Sequence, residues 1–122
     1  AAVLLVNHSD LPFEPHLWLT ALLVSSSHCP VEMFDAPLPA GELGLAVERL
    51  QPKAVVLYSS KTLNTQALGK LLNGIDCPTL IAGPSVRIHY DVLCVSTTEI
   101  AGLCLANDPM EAHQRLNQLG LL

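Results

Sequence analysis

The stretch Pro52-Lys53-Ala54-Val55-Val56-Leu57-Tyr58-Ser59-Ser60 decides the fold. Ala54–Tyr58 is a short apolar run closed by a hydroxyl pair. It is too short for an ordinary helix and rich in residues that suit a strand. The run is continuous, where a half-exposed strand would alternate with polar residues. Continuity marks a strand buried on both faces, as in a parallel sheet flanked by helices. Pro52 ends whatever helix precedes it, because it lacks the N–H that a helix interior needs.

Reading outward, the same alternation repeats. Upstream, Leu43, Ala46, Val47 and Leu50 fall at i, i+3, i+4 and i+7, which predicts a helix over Gly41–Leu50. Pro37 and Pro39 punctuate the loop before it, and Val31–Phe34 reads as a shorter strand. Leu17–Ser26 reads as a helix apolar almost all round, and Ala2–Val6 as the first strand. Downstream, Leu63, Ala67, Leu68, Leu71 and Leu72 form a helical stripe that Gly74 stops. Pro78–Ile81 is the fourth strand, and either Val92–Val95 or Leu103–Leu105 supplies the fifth. Asp108-Pro109 reads as an N-cap with Pro at the first helical position, opening a helix over Met110–Leu119. The expected fold class is α/β: one flavodoxin-like domain over residues 1–122, its parallel five-stranded sheet in the order 2-1-3-4-5.

Composition narrows the function. A chain of 122 residues suits one domain and buries roughly 65–70% of its unfolded surface. Half of the residues are hydrophobic and 14% are charged, so a partner or another domain is expected to cover part of the surface. The formal charge of −5 repels phosphate backbones, so no direct nucleic-acid contact is expected from this domain. No apolar run is long enough for a membrane span. Cys29, Cys77, Cys94 and Cys104 form no C-x-x-C pair, which suits the reducing cytoplasm and small core positions better than disulfides. The chain opens on its first strand without an initiator Met, so an excised part of a longer protein is expected.

In a parallel sheet every loop after a strand leaves the carboxyl edge, where such folds bind ligands. Three short motifs take that place: Glu14-Pro15-His16 after the first strand, Ser59-Ser60 after the third and Ala82-Gly83 after the fourth. A neutral imidazole ligates transition metals, and a nearby carboxylate can orient it.

Taken in order, these motifs resemble those of the cobalamin-binding domains of light- and cobalamin-responsive MerR-type transcriptional regulators. That family carries E-x-H-x-x-G, S-x-L and Gly-Gly. Here Glu14 and His16 match, with Leu19 at the glycine; Ser59 matches, with Lys61 at the leucine; and Ala82-Gly83 stands for Gly-Gly. The resemblance covers residues 2–84 and continues loosely beyond.

It implies a C-terminal sensory domain, not an enzyme, with DNA bound by a missing N-terminal helix-turn-helix. The small-molecule effector would be cobalamin, with His16 as axial ligand of its cobalt. Glu14, Ser59, Ser60 and Gly83 would complete the site. The family's nucleotide tail enters a glycine-lined groove between sheet and first helix. Leu19 is expected to crowd that groove, and Ala82 less so; overpacking of this kind costs about 1–3 kcal/mol. Alternatives are a ligand-free dimerisation or interaction domain of the same descent, and a cobalamin-carrying subunit of a mutase or methyltransferase. A homo-oligomer is expected in the regulator.

The other polar features are weaker. Asp10, Glu14 and Asp35 suggest an acidic phosphoacceptor cluster, His28 with Cys29 a metal pair, and His89-Tyr90-Asp91 a mutually oriented trio. Trp18 is expected in the core or an interface, and His113 on the surface of the last helix.

Overall fold

The computed structural model describes residues 2–8, 14–26, 29–34, 40–59, 72, 75, 77–99 and 102–121. Its strands are β1 (Val3–Asn7), β2 (Val31–Phe34), β3 (Ala54–Tyr58), β4 (Thr79–Ala82) and β5 (Leu103–Ala106). Its helices are α1 (Pro15–Ser25), α2 (Ala40–Leu50), α3 (Ser85–Ile88), α4 (Tyr90–Glu99) and α5 (Pro109–Gln118). The sheet runs β2-β1-β3-β4-β5, and every pairing is parallel. This is the expected flavodoxin-like order. The fifth strand is Leu103–Ala106, while Val92–Val95 lies inside α4.

Alternation along the strands builds two cores. Val3, Leu5, Ala54, Val56, Tyr58, Leu80, Ala82 and Ala106 face one side, under Leu17 and Val24 of α1 and Ala112 and Leu116 of α5. Leu4, Val6, Val55, Leu57, Ile81 and Leu103 face the other, under Leu43 of α2, Leu72, Val86 of α3 and Leu93 of α4. A sheet covered on both faces is why β1, β3 and β4 are buried at every position.

Helix α1 begins two residues earlier than its apolar periodicity suggests. Pro15 takes the first helical position, where its missing N–H is no loss, and Glu14 is the N-cap. The Glu14 carboxylate accepts from the backbone N of His16 at 3.3 Å. The motif read as a loop is therefore the first turn of the helix. At the other end of the chain, Asp108 caps α5 by accepting from the Glu111 backbone N at 2.8 Å.

Ser60, Lys61, the helical stripe from Leu63 to Leu71, Gly74, Pro37, Pro39, Asp10, Asp35 and His28 lie outside the described residues. No helix among the described residues is long and apolar enough to cross a membrane.

Candidate functional site

Parallel pairing carries the first, third and fourth strands to one carboxyl edge in register. Asn7, Tyr58, Ala82 and Ala106 form a row of Cα partners across it. The ladder continues past the strands: His8 N donates to Tyr58 O, Ser59 N to Ala82 O, and Gly83 N to Ala106 O. His16, Ser59 and Gly83 therefore all follow strand ends on the same rim. Ser60 belongs to the same motif but lies outside the described residues.

Tyr58 links these positions. Its ring centroid lies 6.0 Å from that of His16. The ring also lies against Gly83, where an added Cβ would meet Tyr58 Cε1 and Cζ at 3.1 Å and collide with the Ser59 carbonyl. Gly83 also has φ +105°, a backbone state that a side chain resists. Tyr58 is 1% exposed. Ala82, its neighbour in the row, and Ala106 beyond it are small and fully buried, so they leave height above the sheet for the ring.

The rim is acidic. Glu14 is 4% exposed, and its Oε1 lies 3.7 Å from His16 Nδ1. Burial pushes the Tyr58 hydroxyl well above its ordinary titration range, and the Glu14 and Asp108 carboxylates push it further. The caps of α1 and α5 thus act on one phenol. The His16 side chain is 59% exposed and stands at the open side of this arrangement. Ser85 Oγ, just beyond Gly83, is buried without a hydrogen-bond partner. A cleft of about 460 Å³ opens on the same edge, lined by Pro84, Arg87, Ile88, Asn107 and Asp108.

His16 has the surroundings of a metal-ligating imidazole: a carboxylate beside Nδ1 and a half-exposed ring. The interior behind it does not fit a nucleotide tail. Val3, Leu5, Leu17, Val56, Tyr58 and Ala82 fill the space between sheet and α1, each 1% exposed or less. Two carboxylates also bias the edge against a phosphate. Leu19, expected to crowd the groove, is 44% exposed and faces away from this core. Tyr58 heads the largest fully buried side chains.

The remaining sequence candidates scatter. Trp18 is 42% exposed and outside the core. Cys29 is buried, whereas Cys94 and Cys104, expected as core residues, are half-buried. His113 is half-buried on α5. The Tyr90 hydroxyl is pushed up first by its hydrogen bond to Cys94, and the Asp91 carboxylate adds to the shift. No group of three or more metal-ligating side chains occurs among the described residues.

Sequence reading missed Tyr58 and Asp108 as site residues. Their signals were present: alternation in β3 sets Tyr58 on the face of Ala54 and Val56, and Asp108 was legible as a cap. What joins them is the spacing between two helices distant in sequence. No family model and no curated protein matches the chain.

Proposed function

We propose that this domain is a self-associating interaction module of the cobalamin-sensor type, serving a MerR-like transcriptional regulator with its cofactor slot closed. One observation carries the reading: the Tyr58 ring lies near His16 and against Gly83, where the resemblance puts a ligand. A buried aromatic contributes large apolar contact, so opening the slot would expose it and cost several kcal/mol, of the order of a Tyr or Phe deletion. A module of this kind is regulatory and non-catalytic. It acts by shifting an equilibrium between assembly states that a DNA-binding part of the full protein would read.

Adenosylcobalamin and hydroxocobalamin test the closed slot. The expected result is an unchanged visible spectrum and no co-elution with the protein. Self-association is tested in parallel by sedimentation, with dimer increasing with concentration.

A second reading rests on His16 itself. Its half-exposed ring and the Glu14 carboxylate at 3.7 Å suit a lower ligand to cobalt, as in a cobalamin-responsive regulator. It predicts a shifted spectrum that His16→Ala abolishes, and tighter binding in Tyr58→Gly, which empties the slot.

A further inference from the structure

Strands β4 and β5 are parallel neighbours with Ala82 opposite Ala106, so the loops after them leave the carboxyl edge side by side. The first loop enters α3, which carries Arg87 and Ile88; the second carries Asn107 and Asp108 into α5. Between them lies the cleft of about 460 Å³, lined by these four residues and Pro84. That volume suits a small molecule. Neither Tyr58 nor His16 lines the cleft, so it is distinct from the slot that Tyr58 fills.

Two opposite charges line this cleft and do not meet. Among the described residues the Arg87 guanidinium makes no hydrogen bond and no ion pair, with Asp108 or any other group. Asp108 spends Oδ1 on the cap of α5, at 2.8 Å from the Glu111 backbone N. Pro84 before α3 and Pro109 after Asp108 fix the backbone on both sides of the cleft. The lining then selects an occupant by charge. A guanidinium fork matches a carboxylate, and a carboxylate accepts from an ammonium group. A phosphate or a dicarboxylate would bring a further negative charge to Asp108, and a simple amine would leave Arg87 without an anion. A molecule carrying both charges satisfies both sides, and Pro84 and Ile88 offer apolar contact to what lies between.

We infer that this cleft binds a free α-amino acid with a small aliphatic side chain. Its carboxylate pairs with Arg87, its ammonium group with Asp108, and its side chain lies against Pro84 and Ile88. This goes beyond the assembly reading and gives the domain an effector site of its own. Self-association and cobalamin binding are read in separate experiments, so each can fail alone.

The test uses the full chain, followed by amide NMR shifts during titration with L-alanine, L-valine and L-leucine. At least one of the three is expected to bind saturably at millimolar concentration and to shift the amides of Arg87, Ile88, Asn107 and Asp108 most. For L-leucine, 4-methylpentanoate lacks the ammonium group and 3-methylbutylamine lacks the carboxylate; each should bind at least about tenfold more weakly than the amino acid. Arg87→Gln should weaken amino-acid binding about 10–100-fold at unchanged melting temperature, as loss of a hydrogen bond between charged groups does. Asp108→Asn keeps a good capping side chain and should weaken it about tenfold. No saturable shift with any of the three amino acids overturns the inference. So does binding that survives Arg87→Gln, or that either single-charge analogue matches. Because the analogues are compared on the wild type, the inference stays testable if a variant fails to fold.

Discussion

Helices α1 and α5 do the same work and look different. Both pack on the same sheet face, both contribute to one core, and both start with an acidic N-cap followed by Pro. Buried residues recur at i, i+3 and i+7 in each: Leu17, Thr20 and Val24 in α1, Pro109, Ala112 and Leu116 in α5. The difference lies outward. The exposed face of α5 carries Gln114, Arg115, Asn117 and Gln118 with one large apolar side chain, Met110, whereas that of α1 carries Trp18, Leu19 and Leu22. Folding constrains only the inner face. The outer face is free of that constraint, and its composition differs between the two helices.

If the inner faces are equivalent, Leu17→Ala and Leu116→Ala should each destabilise the domain by about 2–5 kcal/mol in urea titrations. Both leucines are 1% exposed or less. A loss below 1 kcal/mol at Leu17 alone would break the equivalence. Gly83→Ala presses on the Tyr58 ring and the Ser59 carbonyl and forces an alanine to φ +105°. It is expected to cost about 1–3 kcal/mol and to change the near-ultraviolet tyrosine dichroism.

The shared phenol gives a pH test. Tyr58 titrates above its unfolded value of about 10, so its neutral form is favoured by folding. Its contribution is complete below about pH 10 and is lost as pH rises further, by up to about 1.4 kcal/mol per pH unit. Tyr58→Phe should remove that alkaline loss. Glu14→Gln and Asp108→Asn should each lower the folded titration, followed by absorbance of the ionised phenol.

The two caps differ in geometry: Asp108 accepts at 2.8 Å and Glu14 at 3.3 Å. Asp108→Ala should cost about 1 kcal/mol and Glu14→Ala a few tenths by thermal unfolding. Leu22→Ala, at a position 67% exposed, should change monomer stability by less than about 0.5 kcal/mol in thermal unfolding. Any larger effect in the monomer would mean that the outer face of α1 contributes to the fold itself.

Much of this was legible before the structure. Continuous apolar runs fixed β1 and β3, because burial on both faces leaves no alternation to confuse with a helix. The ends were less legible. Glu14-Pro15-His16 read as a loop because helical periodicity starts only at Leu17, yet capping chemistry sets the true start. The fifth strand was ambiguous because Val92–Val95 and Leu103–Leu105 are equally apolar. Val92 and Val95 prove to be exposed on a helix, so local apolarity there did not mean a sheet. Leu19 shows the same limit from another side: its place in a motif suggested an obstructed groove, and its helical phase turns it outward.

The sequence by itself determined the alternation of strands and helices, the parallel sheet and the edge on which His16, Ser59 and Gly83 emerge. Those follow from local burial patterns and from the chirality of crossovers, which need no coordinates. Only the tertiary structure decided that Tyr58 lies close to His16 and Gly83, within reach of the capping carboxylates of two helices, and that α1 turns an apolar face outward. Both depend on the rotation of helices about their own axes over the sheet, which packing sets.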